Sequence, residues 1–494
     1  MTITELQQQY AAHPNTAVME RLLKDASVQT IFCGGLCASS ASLFSSVLVK
    51  QDVCPFVFVL GDLEEAGYFY HDLTQVLGTE KVFFFPSSFR RSIKYGQKDA
   101  ANEILRTEVL SRLQKGEEGL CIVTYPDALA EKVVSRKELS DKTLKLNVGE
   151  KLDTTFITDV LHSYGFEYVD YVYEPGQYAV RGSIIDVFSF ASEYPYRIDF
   201  FGDEVESIRT FEVESQLSRE RKEGVAIVPD LAVTGDVTTS FLDFIPKETV
   251  LAMRDFLWLR ERIQVVHDEA LTPQAIAVQE AEENGGITLE GKLIDGSEFT
   301  VRALDFRRME FGNKPTGTPD AKISFHTSVQ PIFHKNFDLV AGSFKDYLEQ
   351  GYSLYICSDS TKQTDRIRAI FEDRGDKIQF TPVVRTIHEG FVDHTLHLCI
   401  FTDHQLFDRF HKYNLKSDKA RSGKVALSLK ELNQFTPGDY VVHTDHGIGR
   451  FSGLVRIPNG DTTQEVLKLV FQNEDVVFVS IHSLHKVSKY KGKD

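Results

Sequence analysis

A turn near the amino terminus carries the residues whose spacing most resembles a nucleotide-binding loop. Gly34 and Gly35 follow a short apolar run, and a helix-like segment begins at Ser39. A Walker loop needs a glycine, four residues and then Gly-Lys-Ser/Thr, because its amides surround the phosphates, its lysine reaches the terminal phosphates and its hydroxyl holds magnesium. Counted from Gly34, Ser39 replaces the second glycine, Ser40 replaces the lysine and Ala41 replaces the hydroxyl residue. We predict a degenerate nucleotide loop at Gly34, Gly35, Ser39 and Ser40, which could hold a stray anion at a helix N-terminus but would not hydrolyse nucleotide.

A second group combines arginine, carboxylate and a large aromatic ring on one predicted strand. Residues two apart in a strand share a face, so Arg197, Asp199 and Phe201 point one way, and Ile198 and Phe200 point the other way. If the apolar pair faces a core, the opposite face shows an arginine and an aromatic ring to water, and such pairs make protein-binding hot spots.

The same pattern has a structural interpretation, and periodicity alone favours it. In that interpretation Phe201 is a residue at the rim of the core and Arg197 forms an ion pair with Asp199 or Glu204. The neighbouring runs are rich in β-branched and aromatic residues and predict further strands. The predicted strands are 181–188, 196–201 and 205–211.

Histidine and cysteine do not show the spacing of a metal site. The cysteines Cys33 and Cys37 have no second close pair, so a zinc site is not expected. The carboxyl-terminal third is rich in histidine without a repeated ligand pattern, which predicts scattered surface residues: His388, His394, His397, His404 and His411. We therefore expect no metal and no cofactor in this chain.

The overall charge favours protein partners over nucleic acid. The 494 residues include 72 acidic and 55 basic side chains, which gives a formal charge of −17. Such a surface repels phosphate backbones. No secretory signal and no apolar run long enough to cross a bilayer occur in the sequence, so we expect a cytoplasmic chain with no membrane contact.

The elements that would position these residues form an α/β multidomain protein. Strands alternate with helices at 1–145 and predict a parallel sheet, which 214–335 is expected to complete after an inserted small α+β domain at 146–213. A second small α/β domain is predicted at 336–425, with an exposed polar linker at 412–424. Short strands with tight turns predict a β-barrel at 432–490.

The inserted domain resembles a domain of a known repair family. The Arg-Gly pair at Arg181 and the run Tyr-Arg-Ile-Asp-Phe-Phe ending at Phe201 are similar to the transcription-repair coupling factor family (Mfd) and its relative UvrB. In that family the domain docks onto the damage-recognition ATPase UvrA. The resemblance implies that Arg181, Arg197 and Phe201 are the UvrA-binding residues.

The carboxyl-terminal module carries a longer and more specific motif. Val-Val-His-x-Asp-His-Gly-Ile-Gly-Arg-Phe ends at Phe451 and resembles the RNA-polymerase-interacting domain that the family shares with CarD-type regulators. That domain is a Tudor-like barrel, and it adds an edge strand to the polymerase β subunit. The resemblance implies polymerase contacts at Leu454, Arg456 and Ile457, where relatives can carry leucine in place of Ile457.

The resemblance covers the front part of the family's architecture and implies a transcription-coupled DNA repair adaptor. The nucleotide site of the first domain has decayed in the family, and ATP, magnesium and most DNA contacts belong to a DNA-translocating motor whose motifs do not occur in this sequence. This chain is therefore expected to bind UvrA and the RNA polymerase β subunit without being an enzyme. The alternatives are a UvrB-like DNA-binding module and a nucleotide-hydrolysing module.

Overall fold

The computed structural model of the chain describes residues 1–88, 100–213, 215–231, 238–272, 291–409, 411, 413, 415, 437–443, 446–459, 462–471, 475–480 and 487–490. Only the backbone is described at 100–101, 456–459, 462–465, 480 and 488–489. Most of the linker predicted at 412–424 lies outside the described residues.

Fourteen helices occur in the described chain. They are α1 Ile3–Tyr10, α2 Pro14–Lys24, α3 Ser40–Gln51, α4 Leu63–Leu77, α5 Ala100–Gln114, α6 Pro126–Ala130, α7 Arg136–Asp141, α8 Thr154–Ser163, α9 Phe241–Phe244, α10 Phe256–Ala270, α11 Gly296–Ala303, α12 Phe337–Glu349, α13 Thr361–Asp373 and α14 Asp403–Leu406. Capping side chains account for several of their starts. Asp62 accepts a hydrogen bond from the Glu65 amide at the start of α4, and Asp255 does the same for Trp258 at the start of α10. No helix among the described residues is long and apolar enough to cross a membrane.

The strands fall into four larger sheets and two short pairs. They are β1 Thr30–Gly34, β2 Phe56–Val59, β3 Val82–Phe84, β4 Cys121–Thr124, β5 Val133–Val134, β6 Leu144–Asn147, β7 Glu167–Tyr168, β8 Gln177–Arg181, β9 Ile184–Val187, β10 Tyr196–Phe201, β11 Glu204–Phe211, β12 Ser218–Lys222, β13 Gly224–Ile227, β14 Thr238–Thr239, β15 Val250–Met253, β16 Arg307–Gly312, β17 Ala321–Ser324, β18 Thr327–Val329, β19 Ser353–Ser358, β20 Thr381–Val384, β21 Phe391–Asp393, β22 Leu398–Thr402, β23 Tyr440–His443, β24 Gly447–Asn459, β25 Thr462–Val470, β26 Val476–Ser480 and β27 Val487–Lys489.

The chain separates into two compact units. The first comprises Met1–Lys98, Val109–Arg136 and Val237–Leu415, and the second comprises Asp99–Glu108, Lys137–Asp236 and Lys416–Asp494.

A seven-stranded parallel sheet forms the centre of the first unit. Its order is β17-β1-β16-β15-β2-β4-β3, so strands from both sides of the 146–213 segment share one sheet. Fully buried apolar runs such as β2 are typical of parallel sheets, whose two faces are covered by helices. The α/β prediction for this part of the chain is confirmed.

A mixed five-stranded sheet completes the first unit. Its order is β18-β21-β22-β19-β20, with parallel pairing among β20, β19 and β22 and antiparallel pairing from β22 to β18. Helices α12 and α13 pack on it through a core that includes Phe344 and Phe371. This sheet positions the loop at 385–390, which reaches the turn after β1.

The second unit contains a six-stranded sheet, β12-β11-β10-β9-β8-β7, that is antiparallel except for β7 and β8. One face buries Ile198 and Phe200 against α8, which contributes Ile157 and Leu161. The other face has a smaller core that includes Phe188 and Phe211.

The carboxyl-terminal strands form an antiparallel sheet in the order β26-β25-β24-β23-β27. We expected a closed barrel, and no pairing between β26 and β27 closes this sheet among its described residues. An irregularity in register between Phe451 and Leu454 marks a bulge in β24. Alternating strands and turns predict such a sheet, but closure depends on strand stagger, which the sequence pattern does not specify.

Candidate protein-docking sites and a filled nucleotide-type loop

The turn after β1, where the sequence predicts a degenerate nucleotide loop, is crowded by neighbouring residues. Gly35 adopts φ +86°, and a Cβ on it would lie 2.0 Å from the carbonyl oxygen of Phe325. Glycine is therefore required for both conformation and space. Its carbonyl oxygen accepts a hydrogen bond from the Thr327 hydroxyl at 2.7 Å.

The amides that would surround a phosphate already have protein partners. The Cys37 amide donates to the hydroxyls of Ser40 at 2.9 Å and Thr327 at 3.1 Å. The Ser39 amide donates to the carbonyl of Glu389 at 3.3 Å, and the Ser39 hydroxyl accepts from the Glu389 amide at 2.9 Å. The loop at 385–390 thus lies where a nucleotide's phosphates would approach the start of α3.

The cavity beside this loop has the wrong charge for a nucleotide. It has a volume of about 440 Å³ and lies at the ends of β2 and β15, where open α/β sheets bind their ligands. Arg254 is the arginine among the residues that line the cavity, and five acidic residues line it as well: Asp62, Glu64, Glu65, Asp72 and Glu389. Arg254 forms an ion pair with Glu65. Triphosphate would meet repulsion here.

Three of the five histidines expected to be scattered over the surface form a cluster instead, in which His388 lines this cavity, so that prediction is wrong for them. The ring of His411 lies 4.6 Å from that of His404, 5.1 Å from that of His71 and 6.2 Å from that of His388, measured between centroids. Tyr68 stacks on His388 at 3.5 Å. The other two, His394 and His397, are exposed as predicted. The sequence carries no local signal for His71 as a member of this cluster, because α4 is more than 300 residues away from the other three histidines along the chain.

Burial keeps these imidazoles neutral. It lowers the pKa of His71 and of His388 to about 4, with the neighbouring histidines adding to the effect. Because the folded pKa lies below the unfolded value near 6.5, the unfolded chain takes up these protons first, and folding stability falls as pH drops from about 6.5 towards 4. Burial raises the pKa of Asp72 to about 6, so the folded chain takes up this proton first. Protonation of Asp72 therefore increases folding stability as pH drops below about 6, which opposes part of the histidine effect. No group of the described residues is arranged to hold a metal ion.

Arg181 and Arg197 meet at one buried carboxylate in the second unit. Asp186 is fully buried on β9 and directly opposite Arg197 on β10. Arg197 donates through Nε to Asp186 Oδ1 at 2.8 Å and through Nη2 to Oδ2 at 2.9 Å, and Arg181 pairs with the same Oδ2. The ion pair predicted between Arg197 and Asp199 or Glu204 is therefore wrong. The sequence signal that could have indicated Asp186 is an aspartate inside the apolar run Ile-Ile-Asp-Val-Phe.

Phe201 lies at the end of β10 and is 80% exposed, whereas the adjacent Phe200 is 4% exposed. The alternation predicted for β10 is confirmed, and Phe201 is not a residue at the rim of the core. A tight turn follows at Gly202, whose φ is +64°, and β11 begins at Glu204. A large ring that a tight hairpin leaves exposed to water is a candidate contact for a partner protein.

The long strand β24 has one side without a partner strand over part of its length. Leu454 to Asn459 pair with β25, whereas β23 pairs only with Gly447 to Arg450. Among the described residues, the 454–459 stretch is therefore paired on one side. Leu454 is 39% exposed, and the side chains of Arg456 and Ile457 lie outside the described residues.

Comparison with known domains matches both regions. Residues 144–232 match the UvrB interaction domain, and residues 435–491 match the CarD-like/TRCF RID domain. The chain is therefore a multidomain protein that contains regions matching these two domains and, in its other unit, a parallel α/β fold.

The similarity to one family extends over almost the whole chain. The chain is 24% identical over 525 residues to the transcription-repair-coupling factor of Staphylococcus aureus strain bovine RF122 / ET3-1, covering 92% of this chain and 45% of that protein. It is 21% identical over 539 residues to the transcription-repair-coupling factor of Bacillus subtilis strain 168, covering 93% of this chain and 45% of that protein. The resemblance to this family is confirmed, and the chain spans less than half the length of the relatives it matches.

Proposed function

We propose that the chain is an adaptor of transcription-coupled DNA repair, which binds UvrA through its inserted domain and the RNA polymerase β subunit through its carboxyl-terminal sheet. The match to two interaction domains within one chain carries this proposal. In a longer family protein, a DNA-translocating motor would supply the ATP hydrolysis that displaces polymerase. The front portion provides the contacts that select the partners.

The UvrA-binding surface would combine Phe201 with the Arg181 and Arg197 guanidiniums. Phe201 supplies apolar area that the free chain leaves in water. Arg181 retains a side chain that is 35% exposed, and Arg197 one that is 18% exposed. Arginine beside an aromatic anchor is the composition of interface hot spots, and carboxylates on UvrA would complete charge-assisted hydrogen bonds.

The polymerase-binding surface would be the unpaired side of β24 between Leu454 and Asn459. Backbone groups on such an edge can pair with a strand of a partner, and Leu454, Arg456 and Ile457 would supply side-chain contacts. This mode fits a β subunit that offers its own sheet edge.

The first unit would act as a scaffold without nucleotide chemistry. The occupied amides of Cys37 and Ser39 and the acidic cavity beside them support this part of the proposal. For the carboxyl-terminal sheet, we propose that its strands belong to a Tudor-like barrel, as in the family's RNA-polymerase-interacting domain. A UvrB-like DNA-binding role has no comparable support, because the chain has a formal charge of −17.

Binding of purified UvrA and of purified polymerase β subunit by calorimetry tests the two surfaces separately. We expect Ile457→Arg to abolish β-subunit binding and to leave UvrA binding unchanged. Val476→Arg is the matched control, because Val476 is an exposed apolar residue on β26, at the opposite edge of the same sheet. Polymerase binding that survives Ile457→Arg but is lost in Val476→Arg would place the contact on the wrong edge for this proposal.

A further inference from the structure

We infer that Asp186 is a positioning residue for the UvrA-binding surface, and that it sets which donors of Arg181 and Arg197 face the partner. This inference rests on the proposed function of that surface. Asp186 is fully buried and cannot contact a partner itself. Its effect on binding would therefore pass through the two arginines.

The backbone brings the three residues together. Asp186 is opposite Arg197 across the β9–β10 pair and opposite Ala179 across the β8–β9 pair. Arg181 is two residues after Ala179 on β8 and shares its face, so the side chains of Asp186, Arg197 and Arg181 lie on one face of the sheet. Arg181 ends β8, and Gly182, with φ +63°, follows it into the turn before β9. One carboxylate therefore joins three neighbouring strands.

Aromatic rings fix the guanidiniums from their flat sides. The guanidinium carbon of Arg197 lies 4.5 Å from the ring centroid of Phe211, and that of Arg181 lies 4.9 Å from the centroid of Tyr171. Arg197 also donates to the carbonyl of Gln216 at 3.0 Å. Each arginine is thus held by a ring and by the carboxylate, which reduces the conformational freedom that binding would otherwise remove.

The donor count distinguishes the roles of the two arginines. Arginine carries five N–H donors. Arg197 uses Nε, Nη1 and Nη2 within the chain, whereas the described hydrogen bond of Arg181 is the one through Nη2 to Asp186. Arg181 therefore offers the larger set of donors to a partner carboxylate, and Arg197 acts mainly by fixing the shared aspartate.

The charge count identifies the chemistry of the partner. One buried carboxylate between two guanidiniums leaves a net positive charge at this cluster. The inference predicts an acidic side chain on UvrA opposite Arg181, at a bidentate geometry that arginine favours and lysine does not.

Calorimetric titration of the full chain with UvrA tests the inference through Asp186→Asn. This change keeps the side-chain shape but removes the charge and one of the two acceptors. We expect about tenfold weaker binding, within the range measured for coupled neighbours. Glu212→Gln is the matched control, because Glu212, directly after β11, forms an ion pair with Arg219 on β12 of the same sheet. This variant should bind UvrA as the unchanged chain does.

Repeating Asp186→Asn in two variant chains separates a positioning role of Asp186 from a general loss of structure. In an Arg181→Ala chain, which lacks the donors that face the partner, Asp186→Asn should weaken binding less than it does in the unchanged chain, whereas in a Phe201→Ala chain it should weaken binding by the full factor. Equal factors in the two backgrounds would overturn the positioning role. Failure of the proposed function is distinguishable, because Phe201→Ala and Arg197→Ala would then both leave UvrA binding unchanged.

A measurement on the unchanged chain covers the case in which Asp186→Asn does not fold. Selective ¹⁵N-arginine labelling would report exchange of the Arg197 Nε–H with water. The inference predicts protection of this proton, since it lies in a hydrogen bond to a fully buried carboxylate. Exchange as fast as that of a freely exposed arginine would contradict it.

Discussion

Two adjacent phenylalanines offer the sharpest test of the inserted domain. Phe201 is 80% exposed and Phe200 is 4% exposed, although both belong to β10. An aromatic side chain has about 200 Å² of surface, and burial stabilises by about 25 cal/mol per Å². Covering the exposed four-fifths of Phe201 would therefore contribute roughly 4 kcal/mol at most.

Truncations at the centre of an interface commonly cost about 2 to 4 kcal/mol. We therefore expect Phe201→Ala to weaken UvrA binding roughly 30- to 700-fold in Kd. Its free energy of unfolding should change by less than about 0.5 kcal/mol, because the ring makes little contact in the free chain. Phe200→Ala should instead cost about 3 to 5 kcal/mol of stability through a cavity in the sheet core.

Titration calorimetry with UvrA and urea unfolding of the same samples give both quantities. Phe201→Ala that binds UvrA as tightly as the unchanged chain would refute the docking role. An unfolding free energy reduced as much as in Phe200→Ala would refute the exposed position of the ring.

The remaining predictions concern the first unit. Gly35→Ala should lower the free energy of unfolding by at least about 2 kcal/mol, because it combines positive φ with a backbone clash; Gly116→Ala, with φ +71° and open space, should lose about 1 kcal/mol, and equal losses in urea unfolding would exclude the clash. Ser40→Lys should not restore magnesium-dependent ATP binding in calorimetry, because the Cys37 amide keeps the Thr327 hydroxyl and the Ser39 amide keeps the Glu389 carbonyl as acceptors; micromolar affinity would contradict this. His71→Gln should reduce by about 1 to 2 kcal/mol the loss of stability between pH 6.5 and pH 4, since the unfolded chain protonates His71 first; an unchanged pH profile would rule out the buried neutral imidazole.

Local pattern predicts the elements of this chain better than their contacts. The apolar run at β2 and the alternation in β10 are visible in the sequence because burial imposes a period on each strand. The degenerate loop is visible for a different reason. A nucleotide-binding motif has a fixed spacing that can be checked residue by residue, and Ser40 stands where the motif has lysine.

Contacts between distant residues are not visible in this way. The partner of Arg197 is Asp186 rather than a neighbour on its own hairpin, because register across β9 and β10 sets which side chains meet. The histidine cluster joins His71 to residues after 387, and no local pattern reports that the second sheet packs its loop at 385–390 against the start of α3. Closure of the carboxyl-terminal sheet depends on stagger between strands that short alternating runs do not encode.

If one chain connects UvrA and RNA polymerase through separate surfaces, it should hold both proteins at the same time, and a bridging measurement can detect this. Polymerase β subunit would be immobilised on an interferometry sensor, followed by this chain and then by UvrA. We expect UvrA capture only when the chain is present, loss of UvrA alone with Phe201→Ala, and loss of both the chain and UvrA with Ile457→Arg. Displacement of the chain from the polymerase subunit by UvrA, or no capture of UvrA by the bound chain, would contradict it.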